Sequence, residues 1–401
     1  MIPKLPYHPV TVVGGGIIGK LVALSLGRIL APYYSQPLLL VTRDKPSAMT
    51  KPNSVSSNRV SFLTPGSVRF FQELGIWRKI CLGGAYPISS MKIFNGDIPG
   101  ILHPSIDGSF FSLSKEDCQY APFLGYIISN SNIEHVLEEE IKAVPITMLH
   151  STKLFCINVD DGEPLSRSQS LSFSIENSSK HEELCTSLLL GCDGSNSFVR
   201  QSLSSSNFPY HLEDYKSFGV ISTFTTSPST KRLNGTAYQR YLPSGPLAAL
   251  PLSPNSYSLV WSIPNEWKSN DIFKDKEKFT KLLNLAFYGP YCEIRKMFLN
   301  SSQCSTLDVD YRGDTGVLNE FGAILDASEP EFFPLKSGIV PSSMSISNKN
   351  LRVLLMGDAA HSIHPHAGQG LNMGIADAMC LHKIMRKNVP LGTDPGYNGD
   401  F

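Results

Sequence analysis

The sequence predicts an α/β protein: a doubly wound parallel sheet assembled from non-contiguous segments, with an antiparallel β-sheet domain inserted into it. Three observations predict this. Near the start, an apolar run at 10–13 passes through Gly14-Gly15-Gly16-Ile17-Ile18-Gly19 into a helical stretch and then a second apolar run at 38–41. Near the other end, the run 351–356 enters Gly357-Asp358 and then a long helical stretch. Between them, roughly residues 214–263, apolar and polar residues alternate between Pro and Gly turns, as antiparallel strands do.

Taken in order, the opening run is a buried strand, and Ile18, Leu21, Val22, Leu24, Ser25 and Arg28 carry helical spacing behind it. With the run at 38–41 this makes a βαβ unit of about 30 residues. Residues 49–58 are polar and turn-rich. Residues 65–80 read as one helix, with Val68, Phe71, Leu74 and Trp77 three apart, and 131–141 as another. The Ser-rich stretch 166–181 reads as a loose surface hairpin and loop. Leu188-Leu189-Leu190 runs as a strand into the turn Gly191-Cys192-Asp193-Gly194. Helical spacing returns at 274–288, and a final helix starts at about Gly370. This order places 1–95, 125–208 and 335–401 in a dinucleotide-binding domain, and 96–124 and 209–334 in the inserted domain, where substrate would lie.

Composition narrows the function. At 401 residues two domains are expected, and 41% hydrophobic with 17% charged residues suits a folded globular chain. Lys plus Arg and Asp plus Glu both number 35, so the balance offers no basic footprint for nucleic acid. The eight cysteines form no CxxC pair and are too sparse for a disulfide scaffold; they read as mostly buried free thiols. No transmembrane helix and no targeting peptide are expected from the pattern.

Chemistry concentrates in three motifs. In the first, Gly14 allows a tight turn, Gly16 lets the backbone approach a pyrophosphate, and Gly19 lets helix and strand pack closely. The phosphates would rest on the helix N-terminus. The acid that normally ends the second strand and binds ribose hydroxyls is missing at Val41-Thr42; either Asp44 or the Thr42 hydroxyl takes the ribose, or the site binds adenosine less tightly. In the second motif, Asp358 can accept a ribityl or ribose hydroxyl. The Gly368-Gln369-Gly370 turn, followed by Leu371 and Asn372, presents bare N–H groups at a helix start suited to negative charge. His361, His364 and His366 sit close together, but no Cys, Asp or Glu cluster joins them, so no metal site is expected. The third motif, the Asp193-Gly194 turn leading into a helix with a capping Ser, offers a crossing point beneath the same pyrophosphate.

In this order, the three motifs resemble those of the flavin monooxygenases of the para-hydroxybenzoate hydroxylase type, and within them the ubiquinone-biosynthesis hydroxylases, including the mitochondrial ring monooxygenases of eukaryotes. The resemblance extends through Ser57-Asn58-Arg59-Val60-Ser61, Leu74-Gly75-Ile76-Trp77, Gln239-Arg240-Tyr241-Leu242-Pro243-Ser244-Gly245-Pro246 and Leu259-Val260-Trp261-Ser262. It implies FAD as cofactor, with Arg59 near the flavin. It also implies a flavin C4a-hydroperoxide that hydroxylates ring carbon 5 of a polyprenyl-hydroxybenzoate, consuming O2. The electron donor it implies is a ferredoxin with its reductase, or NADPH as in soluble relatives. A peripheral place on the matrix side of the mitochondrial inner membrane, in a ubiquinone-biosynthesis complex, follows from the same resemblance. No obligatory acid or base is named. The chain ends at Phe401, where family members continue for several tens of residues, so it reads as a shortened form. Two other readings stay open: a soluble NADPH-dependent hydroxylase of small phenols, and a non-catalytic prenyl-binding protein like the GDP-dissociation inhibitors.

Overall fold

The computed structural model describes residues 5–45, 59–95, 111–117, 121–158, 171–177, 180–203, 210–228, 235–299, 322–340, 352–363 and 368–396. The polar run 49–58, residues 166–170, His364, His366, Cys118 and Cys304 lie outside them.

A seven-stranded sheet forms the first layer. Its parallel strands lie side by side in the order Ile146–Leu149, Leu38–Val41, Tyr7–Val13, Lys180–Gly191, Val353–Leu355. By position in the chain that is third, second, first, fourth, fifth, the doubly wound order. The order reverses between Tyr7–Val13 and Lys180–Gly191, and the carboxyl ends of those two strands carry Gly14 and Cys192-Asp193. Ligands of open α/β sheets bind at such a reversal, so the topology alone locates a site.

The strands are apolar on both faces because helices cover them. Leu21, Leu24 and Leu26 of the helix Ile17–Leu30 are fully buried, each worth about 2 kcal/mol against exposure. The helix Gly370–Asn388 lies alongside, with Ile18 packed against Gly374 and Ser25 bonded to His382.

The second layer is a nine-stranded, mainly antiparallel sheet. On one face Leu247, Leu259, Trp261 and Ile263 pack under the helices Lys276–Tyr288 and Tyr291–Leu299. Strand alternation turns Gln239, Ala248, Val260 and Ile221, which are paired in register across four strands, to the other face. A small sheet of Val60–Leu63, Gly125–Ser129 and Ala85–Ile88 packs near that face through Phe62, Met91, Leu250 and Leu252.

Four elements differ from the sequence reading. The helix expected over 65–80 is two, Pro65–Glu73 and Trp77–Leu82, because Gly75 turns the chain with φ 71. The stretch read as a surface hairpin contains the strand Leu171–Asn177, whose Phe173 and Ile175 are buried in the core. Ser90–Asn95, expected in the parallel domain, joins the nine-stranded sheet by parallel pairing with Thr236–Tyr241; His361–Ser362 joins the same sheet at its far edge. Among the six described cysteines only Cys192 is buried, and Cys81, Cys156, Cys292 and Cys380 are exposed. A small apolar residue tolerates either environment, so burial was not readable from residue type.

Candidate functional site

The glycine-rich turn is shaped by what surrounds it. Gly14 has φ 126 and donates to Val41 O (2.9 Å), so the chain reverses between two strand ends; a Cβ there would collide with the Cys192 carbonyl. Gly19 lies against the Gly14 carbonyl, where a side chain would separate helix from strand. Gly16 is different. No atom lies within 4 Å of where its Cβ would stand, and its face is open.

Gly16 is also the N-cap of the helix Ile17–Leu30, which has no capping side chain among the described residues. The helix Gly370–Asn388 likewise begins at Gln369 without one. Three other helices are capped by side chains: Thr64 accepts from Ser67 N, Ser129 from Asn132 N, and Asp275 from Glu277 N and Lys278 N; of the short helices, Trp77–Leu82 starts at Ile76 without one. Two helix starts therefore keep their N–H groups and positive dipole ends for an external acceptor. Ile18, which lies next to Gly357 and Gly374, joins them.

A cleft of about 270 Å³ opens over the first helix start, lined among others by Gly14, Gly16, Thr42, Asp44, Asp193 and Gly194. The Thr42 hydroxyl donates to Asp44 Oδ2 (3.0 Å) and accepts from Asp44 N (3.1 Å). This turn returns the carboxylate to within 2.8 Å of a Cβ position on Gly15, where an acid at the strand end would otherwise act. Asp193 Oδ2 accepts from Phe198 N (2.7 Å) and Val199 N (3.2 Å), while Oδ1 is buried without a partner among the described residues. Gly194 beside it has φ 81. Burial, with Asp193 and Asp377 nearby, pushes the Cys192 thiol far up, so it stays protonated and inert.

Arg59 is exposed at the foot of Val60–Leu63, and its carbonyl accepts from Asn130 N (3.1 Å). It faces Glu134, whose carboxyl is held above the usual range by burial, with Lys20, Glu138 and Asp44 also near. Lys20, one turn into the glycine helix, is buried and paired to Glu138 (2.6 Å).

The second helix start gathers the other residues. The Val353–Leu355 strand enters Gly357 at φ 58, and Asp358 follows on the open side, its carboxyl raised by the protein around it. A Cβ on Gly370 would stand 3.8 Å from Asp358 Oδ1, so this carboxylate lies at the helix start. Gly368 has φ 58, and Leu371 packs on the core. Asn372 is fully engaged: its Oδ1 accepts from Thr64 N (3.0 Å) and Ser67 Oγ (2.7 Å), and its Nδ2 donates to Phe62 O (2.7 Å). It fixes the helix start to the small sheet rather than projecting into the cleft. His361 Nε2 donates to Asp377 Oδ2 (2.8 Å), which also accepts from Gly357 N (2.8 Å). That hydrogen bond raises the His361 pKa above its ordinary value.

Two contributors were not singled out from the sequence. Arg200, buried, donates to Ala359 O (2.8 Å) and Ser195 O (2.6 Å) and stacks on Tyr210 (3.8 Å), fastening the Asp193 turn to the Gly-Asp turn. Asp377 sits two turns into a helix whose neighbouring positions are apolar; an acid on that face was the only available hint.

The site's features fit a dinucleotide. It has an open backbone approach at Gly16, two uncapped helix starts for anionic groups, and carboxylates at Asp44, Asp193 and Asp358 for hydroxyls.

Comparison with known proteins gives the same answer. The sequence model of the FAD binding domain family matches residues 7–286 and 340–389. The mitochondrial ubiquinone biosynthesis monooxygenase COQ6 of Homo sapiens is 30% identical over 389 residues, covering 93% of this chain and 76% of that protein. In fold, the chain is similar to PqsL, a probable FAD-dependent monooxygenase from Pseudomonas aeruginosa, with TM-score 0.66, 17% identity, and 98% and 90% of the two chains covered. It is similar too to p-nitrophenol 4-monooxygenase PnpA from Pseudomonas putida, with TM-score 0.66, 15% identity, and 97% and 82% covered.

Proposed function

The chain belongs to the FAD-binding-domain family of flavin monooxygenases, among the relatives of the ubiquinone-biosynthesis monooxygenases, and on that premise we propose that it hydroxylates the aromatic ring of a ubiquinone precursor. The substrate is a polyprenyl-hydroxybenzoate and the position is ring carbon 5. FAD is the cofactor. One observation carries the cofactor reading: the two long helices at the strand-order reversal begin without capping side chains, while three others in the chain are capped.

Each residue then has a task. The N–H groups at Gly16 and the first turn behind it hold the pyrophosphate. Thr42 and Asp44 take the ribose, and the free Asp193 Oδ1 takes a hydroxyl or a bridging water beside it. Asp358 would accept a ribityl hydroxyl, and Arg59 would lie near the flavin. The Gly368-Gln369-Gly370 turn and the helix start at Leu371 and Asn372 favour negative charge on the reduced ring. Bound FAD, once reduced, supplies the activation of O2 that delivers one oxygen atom to an electron-rich ring.

The protein's own part is to orient the ring and exclude water. The inserted domain, 96–124 and 209–334, supplies this. The face of the nine-stranded sheet turned away from its helices, with Ala248, Val260 and Ile221 in register beside Gln239, offers a largely apolar wall for ring and tail. Among the described residues no helix is long and apolar enough to cross a membrane. A peripheral position on the matrix side of the mitochondrial inner membrane, within a ubiquinone-biosynthesis complex, gives access to a prenylated substrate. Electrons come from a ferredoxin and its reductase, with NADPH as the alternative donor.

An absorption spectrum of the purified chain, with the released cofactor identified, tests the core of this. Oxidised flavin bands and FAD are expected, followed by O2-dependent hydroxylation of a prenylated hydroxybenzoate. A colourless protein that cannot be reconstituted with FAD would refute the reading.

A further inference from the structure

Asp377 lies in none of the motifs that point to the cofactor, yet it makes two contacts at their centre. One carboxylate oxygen, Oδ2, accepts from the backbone N–H of Gly357 and from His361 Nε2, each at 2.8 Å. Gly357 stands at φ 58, and the residue after it is Asp358. Its backbone N–H is therefore held from the closing helix, across the turn that aims Asp358 at the helix start. Met356 N on one side is bonded to Gly191 O (2.9 Å), and Ala360 N on the other to Gly357 O (2.9 Å). The turn is thus tied to the parallel sheet behind it and to the closing helix beside it; Arg200 holds its far end through Ala359 O, and Asp377 is the side-chain tie at Gly357.

We propose that Asp377 is a positioning residue for FAD, which holds the Gly357-Asp358 turn and the His361 ring in the arrangement that receives the ribityl chain. This rests on the FAD reading above. Asp377 touches neither cofactor nor substrate; it acts through Gly357, Asp358 and His361.

The pair with His361 makes this hold depend on pH. The His361 pKa is raised above its ordinary value of 6.5, first by the hydrogen bond to Asp377, and further by the charges of Asp377 and Asp358 against the opposing effect of burial. Among the described residues the charged groups facing the ring are few. Asp377 comes from the closing helix and Asp358 from the turn; Ile339, opposite on the strand Glu331–Ile339, carries no charge. Near Asp377 lies the Cys192 thiol, kept protonated by burial and by the charges of Asp193 and Asp377. A raised folded-state pKa means that the contribution is complete below 6.5 and is lost as pH rises through the folded value. Above it His361 is neutral, and its attraction to Asp377 falls from a charge-assisted hydrogen bond to a neutral one. Flavin affinity is expected to fall in the same window.

The test is a titration of the flavin-free chain with FAD, followed by quenching of flavin fluorescence, between about pH 6 and 8.5. Wild type should bind most tightly at the acid end and weaken through the His361 titration. Asp377→Asn should bind roughly ten- to a hundredfold more weakly at the acid end, the loss expected for a charge-assisted hydrogen bond, and should lose the pH dependence. His361→Gln keeps a neutral donor toward Asp377, so it should bind with a flat profile near the alkaline value of wild type. If Asp377→Asn does not fold, as judged by circular dichroism, His361→Gln decides. An Asp377→Asn chain with wild-type affinity and profile, or a His361→Gln chain that keeps the wild-type pH dependence, overturns the proposal. Wild type that binds no FAD at any pH overturns the cofactor reading itself, a result these variants cannot imitate.

Discussion

Replacing Gly16 and Gly14 by alanine, one at a time, should separate ligand space from structural space within three residues. For Gly14→Ala two costs add. Its φ of 126 is a conformation that a residue with a Cβ adopts only under strain, about 1–3 kcal/mol. The new methyl also meets the Cys192 carbonyl, a backbone group fixed in the central strand, adding about 1–3 kcal/mol of overpacking. The sum, about 2–6 kcal/mol, is a large fraction of a typical domain's stability. For Gly16→Ala neither cost applies: φ is −73, ψ is −178, and nothing lies within 4 Å of the added atom. Alanine is a poorer N-cap than glycine by up to about 1 kcal/mol, and the reduced freedom of the unfolded chain returns about 0.4–1 kcal/mol. Urea unfolding of the flavin-free Gly16→Ala chain should therefore match wild type within about 1 kcal/mol. Its FAD affinity should fall roughly ten- to a hundredfold, because the methyl stands where a phosphate oxygen must meet backbone N–H groups in charge-assisted hydrogen bonds. A Gly16→Ala chain that binds FAD like wild type would show that the open space is not the phosphate path, and the assignment of the glycine motif would fall.

Other outcomes follow from single contacts. Asn372→Ala leaves Phe62 O and Thr64 N without their side-chain partner and should lower unfolding stability by about 2–4 kcal/mol in urea titration, weakening FAD binding as a consequence. Asp44→Ala removes an exposed carboxylate; the flavin-free chain should keep its melting temperature, while FAD affinity measured by calorimetry drops about tenfold. His382 is buried between three helices, with Nδ1 on Ser25 Oγ (2.7 Å) and Nε2 3.7 Å from Glu73, and burial lowers its pKa against the pull of Glu73. A lowered value in the folded state means that its contribution is present above 6.5 and is lost as pH falls through the folded pKa. His382→Gln should flatten the acid side of a stability-versus-pH curve and leave the alkaline side, where His361 acts, unchanged.

The parts that were legible in the sequence are those where one residue's backbone decides. Gly14 and Gly19 stand where a side chain would strike a neighbouring carbonyl, and that constraint is written locally as glycine at fixed spacing. The alternation across 236–263 likewise follows from one face of each strand being covered by helices. What was not legible depends on partners far away in the chain. Ser90–Asn95 looks like any short strand until Thr236–Tyr241 pairs with it. Leu171–Asn177 is camouflaged by serines on its outer face, although Phe173 and Ile175 fill the core on the other. The missing acid at Val41 looked like a defect because the sequence shows position but not direction, and the Thr42 hydroxyl is what turns Asp44 back toward Gly15.

Asp377 and Arg200 sharpen the distinction. Each binds carbonyls or N–H groups of a turn that another segment supplies, so neither has a spacing rule to betray it. Both join pieces of chain that are distant in sequence: Arg200 spans from the Asp193 turn to Ala359, and Asp377 reaches back from the closing helix to Gly357. A discontinuous domain requires such ties, because its cofactor cradle is assembled from segments that contribute a few residues each. On the proposed reading Gly16 leaves room for the ligand, Gly14 and Gly19 leave room for neighbouring backbone, and the distant polar side chains hold these turns in register. Substitutions in the first group should therefore change affinity with the fold intact wherever the space is open, as at Gly16, and substitutions in the second should change affinity and stability together.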